Sequence, residues 1–413
     1  MIIDSAQYNG SCSCGREHCM KTLFSIVEGG CLKKLNSYLQ KYGLSGATVA
    51  VYDQNTYLAT KDRHPSVDLE IVLDPTDLHA NEHGVSCLEE KLPQNAEVLI
   101  AIGAGTVHDI TRYCAYTRGA DFVSCPTAAS VDGFCSSVAA MTWNGCKKTL
   151  TAVAPKIVVA DTDILMNAPI RLTRSGFGDM IGKYIALTDW KIAHLLTGEF
   201  YCERIARITL EATESVLASV DGIMDGEREA YEKLMYGLLL SGLAMQMMGN
   251  SRPASGAEHH ISHLIEMSPA GLSVSSDALH GEKVGVGTLL AMEEYQRLMG
   301  APRISFLDYA EFDEETVARV FGERAEEILK ENARDAAKGV TAATLAAHWH
   351  EICAEIQNLP DSALLRSVYL KFGVRSTLSE IGIDDTVSEA LLDYSPMVRN
   401  RLTLMRLRRA LKQ

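Results

Sequence analysis

The chain has 413 residues with 39 Lys and Arg against 53 Asp and Glu, a formal net charge of −14. This length suits two or three domains, and a hydrophobic fraction of 47% is ample for a large core. An acidic chain without a basic block is a poor match for nucleic acid, so we expect no such partner, whereas a small phosphorylated substrate needs only one or two local cations.

Three sequence features predict a cytoplasmic protein without a membrane span. The first residues, Met1–Gly10, contain Asp4 and no apolar core, which argues against a signal peptide. The longest apolar stretch, Tyr236–Met248, is too short for a bilayer span and predicts a buried helix. Eleven cysteines, many of them inside apolar runs, predict reduced thiols and not a disulfide framework.

The first part of the chain alternates strand-like and helix-like segments. The predicted strands are Gly46–Tyr52, Val67–Leu73, Glu97–Ile102, Asp121–Ser124 and Lys156–Ala160. Helical patterns lie between several of them, for example at Ile110–Arg118. This alternation predicts an N-terminal α/β domain, residues 1–165, with a Rossmann-like, mostly parallel sheet and helices on both faces.

After about Leu165 helical patterns dominate. The predicted helices are Gly178–Leu196, Tyr201–Val220, Glu227–Met248 and Glu314–Ala337, and the tail Ser362–Gln413 is also helix-rich. We therefore predict an all-α C-terminal domain over residues 166–413.

A glycine loop with Gly103 and Gly105 follows the third predicted strand and precedes a helix. Glycine lets the backbone approach a phosphate, and a helix N-terminus supplies N–H groups and a positive dipole. The third glycine of the dinucleotide fingerprint is missing, so a plain strand-to-helix turn is the alternative. Asp53, at the end of an earlier strand, suits a ribose and would repel a 2′-phosphate, or it is a turn residue.

A second loop, Pro126–Gly133, also follows a predicted strand. Loops at the carboxyl ends of parallel strands bind ligands in such sheets, whereas Ser130 and Asp132 are alternatively helix-capping residues.

Four histidines crowd into residues 259–280, namely His259, His260, His263 and His280. His259 and His263 are i and i+4 and share a helix face, whereas His260 points away. With Asp179, two of these imidazoles would make a common ligand set for a divalent metal with an open position. The spacing does not choose among His259, His260 and His263, and scattered surface histidines are the alternative.

Near the N-terminus, Cys12, Cys14, His18 and Cys19 lie close together. Thiolates and imidazole suit zinc, but the spacing is unusually short and no second pair follows. An ordinary N-terminal loop is therefore the alternative interpretation.

Five motifs, in this order and spacing, carry a family resemblance. They are GxGxxxD at 103–109, PTAASxDG at 126–133, GFGD at 176–179, GAEHxxxH at 256–263 and HGEKVGVG at 280–287. Together they resemble the iron-type alcohol dehydrogenase and dehydroquinate synthase superfamily, and within it the sn-glycerol-1-phosphate dehydrogenases. The resemblance covers about Ala47–Met299, its most specific strings are Cys125–Gly133 and Ser251–His259, and it implies a dehydroquinate synthase-like fold.

The resemblance implies a role for each motif. Asp179, His259 and His280 would hold one divalent metal, zinc or nickel, and Asp132, Asp179 and His263 would face the substrate, with Asp179 and His263 catalytic. The implied NAD(P) site comprises Asp53, Gly103, Gly105, Thr106, Val107, His108, Asp109, Thr127, Ala128, Ala129, Ser130 and Ser136.

Two departures separate this chain from other branches of the superfamily. Iron-type alcohol dehydrogenases carry a further histidine ligand one turn after the aspartate, where this chain has Lys183, and dehydroquinate synthases use glutamate in place of Asp179. The resemblance thus implies metal-dependent, reversible reduction of dihydroxyacetone phosphate to sn-glycerol 1-phosphate with NAD(P)H. Lys183 and Arg252 are candidates for the substrate phosphate or are surface charges.

Two other functions stay open from the sequence. One is a glycerol dehydrogenase acting on the unphosphorylated polyol, and the other is a non-catalytic homologue that binds metal or nucleotide. We also expect a homo-oligomer, most simply a homodimer, because the helical domain could supply an apolar contact surface.

Overall fold

The computed structural model describes residues 1–144 and 146–412, and the predicted tail residue Gln413 lies outside them. The chain forms two compact units, one of Met1–Met180 with Glu214–Asn250 and one of Ile181–Thr213 with Ser251–Gln413. This division differs from the predicted boundary at 165/166, because part of the helical region packs with the sheet. Whether 1–165 and 166–413 fold as separate domains stays a prediction.

The first unit contains a sheet of seven strands. In chain order they are β1 (Ile2–Asp4), β2 (Phe24–Glu28), β3 (Ala47–Asp53), β4 (Leu69–Leu73), β5 (Ala96–Gly103), β6 (Asp121–Pro126) and β7 (Ile157–Asp161). Their spatial order is β1-β2-β7-β6-β5-β3-β4. All neighbours are parallel except β1, which is antiparallel to β2.

The central strands are apolar along their length because both faces of the sheet are covered. Successive side chains of β5 alternate: Val98 and Ile100 lie in one hydrophobic cluster, and Leu99 and Ala101 lie in another. Because period-two alternation sends neighbours to opposite faces, the two clusters are the cores on the two sides of the sheet. This confirms the predicted Rossmann-like α/β sheet.

In the part of the chain that the structure describes, four helices of the first unit lie between these strands, and the others follow the last strand. They are Leu35–Lys41, Gln54–Thr60, Glu82–Glu89, Gly105–Arg118, Thr162–Leu165, Ile170–Ile181, Val220–Met224 and Arg228–Met248, with Ile181 already in the second unit. Glu203–Ala218 runs from the second unit into the first. Two hairpins complete the unit, Gly10–Ser11 with Glu17–His18 and Val138–Trp143 with Cys146–Thr151.

The second unit is helical, as predicted for this part of the chain. Its other helices are Lys183–Thr197, Ala257–Met267, His280–Met299, Glu314–Phe321, Ala325–Glu331, Ala342–Gln357, Ser362–Phe372, Ser388–Tyr394 and Leu404–Leu407. Ser305–Phe306 and Leu411–Lys412 form a small antiparallel pair.

Among the described residues, no helix combines the length and the hydrophobicity needed to cross a bilayer. The predicted apolar stretch Tyr236–Met248 lies in the helix Arg228–Met248, most of whose apolar side chains are buried. The interpretation as a buried helix is therefore confirmed.

Candidate functional site

Three strands of the first unit end side by side at one edge of the sheet. Val51 of β3 pairs with Ala101 of β5, and Gly103 of β5 pairs with Pro126 of β6. Asp53, the glycine loop and the loop after Pro126 therefore follow neighbouring strands. Ligands of open parallel sheets bind at this carboxyl edge.

The glycine loop leads directly into the helix Gly105–Arg118, with Ala104 as N-cap residue. Within the described chain Ala104 provides no side-chain cap, so the first-turn N–H groups, including that of Thr106, depend on solvent or a ligand. A Cβ at Gly103 would come within 2.6 Å of the Cβ of Val107, so packing requires glycine there. At Gly105 a Cβ would meet no described atom within 4 Å, so a phosphate can approach this backbone.

The side chain of His108 points into the core and not toward the sheet edge. It is 1% exposed, its Nδ1–H donates to the Ala104 carbonyl at 3.0 Å, and its Nε2 accepts from the Ser124 hydroxyl at 2.8 Å. Burial, helped by the nearby Arg112 charge, lowers the pKa of His108 to about 3. His108 is thus a neutral structural histidine, and like the buried Val107 it can meet a nucleotide only through its backbone.

Arg112 is a buried residue that the sequence did not single out. Its guanidinium donates to the carbonyls of Val138 at 3.0 Å and Gly133 at 2.8 Å and lies 3.4 Å from Asp109 Oδ1. The Ser136 hydroxyl donates to the same Val138 carbonyl at 2.9 Å. Arg112 therefore fixes the segment that carries Ser136. The Asp109 carboxylate contacts the same guanidinium.

The loop after β6 is held by its backbone. The amide of Thr127 donates to the carbonyl of Gly103 at 2.9 Å and so ties this loop to the glycine loop. Thr127, Ala128, Ala129 and Ser130 are all buried. The predicted cofactor residues of both loops therefore form one connected structure.

The helix Ile170–Ile181 supports this loop from one side. Ser175 donates its hydroxyl to the carbonyl of Ser130 at 3.2 Å. A Cβ on Gly176 would come within 2.1 Å of the carbonyl oxygen of Ala129, so the close approach of the two backbones requires glycine. The first glycine of the GFGD motif thus has a packing role.

Two predicted site carboxylates lie next to each other in the first unit. Asp179 is fully buried, and its Oδ2 accepts a hydrogen bond from the amide of Asp132 at 3.0 Å. The Asp132 carboxylate accepts from the Ser241 hydroxyl at 2.8 Å. The loop after β6 and the GFGD helix therefore position both acids together.

Asp53 is the N-cap of the helix Gln54–Thr60. Its Oδ1 accepts from the amide of Thr56 at 2.8 Å, and its own amide donates to the Thr56 hydroxyl at 3.1 Å, which forms a capping box. Asp53 therefore has the structural role at the turn that the sequence left open. This role is compatible with a ribose contact, because a carboxylate has two oxygens with several acceptor positions.

In the second unit, three histidines converge from two helices. The ring centroids of His259 and His280 are 5.4 Å apart, those of His259 and His263 are 6.0 Å apart, and those of His263 and His280 are 6.1 Å apart. His260 is fully buried outside this group, and its ring nitrogens have no hydrogen-bond partner among the described residues. Of the three histidines in this helix that the spacing left open as metal ligands, His259 and His263 lie in the group and His260 does not.

Two glutamates that the sequence reasoning missed orient the imidazoles. His259 Nδ1 lies 2.6 Å from the fully buried Glu258 carboxylate, and His280 Nδ1 lies 3.0 Å from Glu266. Because a carboxylate only accepts, each Nδ1 is the donor and each Nε2 carries the lone pair, the usual arrangement behind a metal-binding histidine. Each glutamate had one local feature in the sequence that could have pointed to it. Glu258 is adjacent to His259, and Glu266 lies three residues after His263.

Glu266 is the centre of a charged group. Its carboxylate is 3.4 Å from His263 Nδ1 and 3.4 Å from Lys283 Nζ. Burial raises the pKa of Glu266, but His280 and His263 outweigh it and hold that pKa well below its ordinary value. Burial lowers the pKa of His263 despite the opposing effect of Glu266. The Glu266 carboxylate is therefore ionised, and it contacts the imidazoles of His263 and His280.

The two candidate phosphate cations are not surface charges. Lys183 is fully buried at the start of the helix Lys183–Thr197. Arg252 is 2% exposed, binds both oxygens of Glu199 at 2.9 and 3.0 Å, and donates to the Leu402 carbonyl at 2.7 Å. The Arg252 charge is thus neutralised by Glu199, and its contacts are structural.

Solved structures share this fold at low sequence identity. A probable glycerol dehydrogenase from Sinorhizobium meliloti has a TM-score of 0.61 at 19% identity, covering 92% of this chain and 90% of that one. A 1,3-propanediol oxidoreductase has a TM-score of 0.58 at 13% identity, covering 92% and 93%. These likenesses establish the fold.

Sequence comparison establishes the family. Residues 26–169 match the family described as iron-containing alcohol dehydrogenase. The chain is 41% identical to a glycerol-1-phosphate dehydrogenase (NAD(P)+) from Bacillus licheniformis, covering 71% of this chain and 75% of the relative. It is 33% identical to the enzyme of the same name from Geobacillus stearothermophilus, covering 95% and 94%. The chain therefore belongs to the glycerol-1-phosphate dehydrogenase family within the iron-containing alcohol dehydrogenases.

Proposed function

We propose that the protein reduces dihydroxyacetone phosphate reversibly to sn-glycerol 1-phosphate with NAD(P)H and a divalent metal. Family membership over nearly the whole chain supports the reaction. The observation that carries the proposal is the convergence of His259, His263 and His280, each with its Nδ1 facing a glutamate.

We assign Asp179, His259 and His280 as the metal ligands. The residue types fit, because one carboxylate and two imidazoles suit zinc or nickel with an open position. Glu258 and Glu266 support this assignment, since they fix the tautomers of His259 and His280. A bound ion of this kind stabilises negative charge on a carbonyl oxygen as a Lewis acid.

For the cofactor, we assign the pyrophosphate to the first-turn amides that begin at Gly105. This start of the helix is uncapped by side chains and sterically open at Gly105. The loop from Thr127 to Ser130, which is tied to Gly103, would hold the nicotinamide half, with Ser136 nearby and Asp53 at the adenosine ribose. A fixed nicotinamide presents hydride to one carbonyl face, which sets the product's chirality.

For the substrate, we assign His263 as a residue that orients the substrate or relays a proton through water to the developing alkoxide. Its side chain is 31% exposed, so it reaches solvent, and Glu266 orients it. Asp132 would hold a substrate hydroxyl. Lys183, a buried cation, stays a proposed partner for the phosphate. The ion pair of Arg252 with Glu199 argues against a phosphate role for Arg252.

The test is a side-by-side assay of NADH oxidation with dihydroxyacetone phosphate and with dihydroxyacetone. We expect turnover of the phosphate ester, loss of activity with a chelator, and sn-glycerol 1-phosphate by chiral analysis. A higher kcat/KM for dihydroxyacetone would favour a glycerol dehydrogenase. Bound metal without hydride transfer to any phosphorylated ketone would favour a non-catalytic homologue.

A cytoplasmic location and a homodimer are part of the proposal. The cysteines described with side chains are all free thiols, which suits a reducing compartment. The exposed Leu364 and Leu370 on the helix Ser362–Phe372 are apolar groups that a second subunit would cover. Light scattering of the purified protein measures the subunit number directly.

A further inference from the structure

The N-terminal hairpin brings two thiols and an imidazole together. Gly10 pairs with His18 across the two short strands. In the turn between them the Cys12 amide donates to the Arg16 carbonyl at 3.0 Å, and the Gly15 amide donates to the Cys12 carbonyl at 3.0 Å. Gly15 has a φ of 84°, a left-handed conformation that glycine adopts without strain. The turn therefore directs residues 12–14 back toward His18.

The ligand atoms of Cys12, Cys14 and His18 all lie within 4.8 Å of one another. Cys14 Sγ is 3.4 Å from His18 Nε2. Around a tetrahedral zinc ion, a sulfur at about 2.3 Å and a nitrogen at about 2.0 Å are separated by about 3.5 Å. The observed sulfur–nitrogen distance is thus close to one edge of a zinc coordination tetrahedron.

His18 is oriented as a metal ligand would be. It is 2% exposed, and its Nδ1–H donates to the carbonyl of Met247 at 3.0 Å. This hydrogen bond leaves the lone pair on Nε2, the atom that faces Cys14. Nearby, the amides of Lys21 and Thr22 donate to Gln246 Oε1 at 2.8 and 3.1 Å, so the segment is anchored to the helix Arg228–Met248.

We propose that Cys12, Cys14 and His18 bind a zinc ion at a structural site separate from the proposed catalytic metal. Two thiolates and an imidazole are a soft ligand set typical of structural zinc, and tetrahedral coordination has one further position for a fourth ligand. Cys19, the fourth member of the cluster in sequence, is exposed and is not part of the group. The ion would fix the N-terminal hairpin against the end of the helix Arg228–Met248.

Elemental analysis of the purified full-length chain tests the proposal. We expect two metal equivalents in the wild type, one in Cys14→Ser, one in His280→Ala, and two in the matched control Cys19→Ser. A single wild-type equivalent that persists in Cys14→Ser and disappears in His280→Ala would overturn the hairpin site. A single equivalent lost in Cys14→Ser and unaffected by His280→Ala would support the hairpin site and contradict the catalytic assignment instead.

A spectroscopic measurement keeps the test decisive if Cys14→Ser does not fold. X-ray absorption of zinc in His280→Ala, where only the hairpin metal remains, should show at least two sulfur ligands at about 2.3 Å. Cobalt-substituted wild-type protein should show a thiolate-to-metal charge-transfer band in the near ultraviolet. Absence of sulfur ligands and of this band would refute the site.

Discussion

Glu258 offers a direct test of how the proposed metal site is built. Its carboxylate lies 2.6 Å from His259 Nδ1, and both side chains are buried, at 0% and 6% exposure. It also accepts hydrogen bonds from the Gly256 amide at 2.9 and 3.2 Å. Glu258→Gln keeps the length and an acceptor oxygen for Gly256 but removes the negative charge behind the imidazole.

The expected loss of metal affinity follows from the charge-assisted hydrogen bond between Glu258 and His259. A charge-assisted hydrogen bond is about twice as strong as a neutral one. Loss of an outer carboxylate behind a metal-binding histidine lowers metal affinity by roughly 10–100-fold. Because the Glu258–His259 contact is short and buried, we expect the upper part of this range, about 2–2.7 kcal/mol at about 1.4 kcal/mol per tenfold.

The assay is the recovery of dihydroxyacetone phosphate reduction by metal-free protein as a function of buffered free zinc. The hairpin is identical in the wild type and the variant, so any zinc that it binds is common to both titrations. Glu355→Gln, a half-buried glutamate in the helix Ala342–Gln357, is the matched control and should titrate like wild type. A Glu258→Gln variant with wild-type zinc dependence and wild-type thermal stability would refute the assigned role of Glu258.

Three further predictions concern the first unit. Asp53→Ser keeps a helix N-cap but removes the charge, so the ratio of kcat/KM for NADPH over NADH should rise by about tenfold or more, and an unchanged ratio would contradict a ribose contact. Gly176→Ala places a Cβ 2.1 Å from the Ala129 carbonyl, so the KM for NADH should rise and the free energy of unfolding should fall by about 1–3 kcal/mol; normal values of both would be inconsistent with the loop assignment. His108 has a folded pKa of about 3 against 6.5 in the unfolded chain, so the unfolded state takes the proton first and stability is lost as pH falls below about 6.5. Near pH 5 this loss should reach about 2 kcal/mol, and denaturant titrations of His108→Gln should lack it, whereas equal pH slopes would contradict a neutral buried imidazole.

Sequence patterns identified five of the seven strands of the sheet but did not reveal every break in the helices. Each of the five predicted strands exists within a few residues, because buried parallel strands are short apolar runs bounded by turns. β1 has only three residues and escaped notice, as did β2. The predicted helix Glu314–Ala337 is interrupted at Gly322, which has a φ of 55°. A glycine inside a helical pattern is often tolerated, so sequence alone does not reveal such a break.

The candidate site was predictable where its residues share one helix. The i, i+4 relation of His259 and His263 is a local property, and the two rings do lie close together. The contacts of Glu266 and Arg112 depend on residues that are distant in the sequence, so sequence patterns did not predict them. Acidic and basic residues on helices are usually solvated, and only the tertiary packing shows that Glu266 faces three cationic or imidazole groups. Arg112 likewise depends on carbonyls from a distant segment.

The net charge of −14 has little bearing on how anions would bind at the sheet edge. Charges on the surface beyond about 8 Å are largely screened at physiological ionic strength. Arg112, the buried cation near the glycine loop, already binds Asp109 and the carbonyls of Val138 and Gly133. Its charge therefore serves the scaffold and not a pyrophosphate. Among the described residues, the groups that we propose for the anion are the amides at the start of the helix Gly105–Arg118, whose partial charges are independent of pH and of surface composition. An acidic protein can thus bind an anionic dinucleotide without any basic patch, provided that the glycine loop keeps this backbone open.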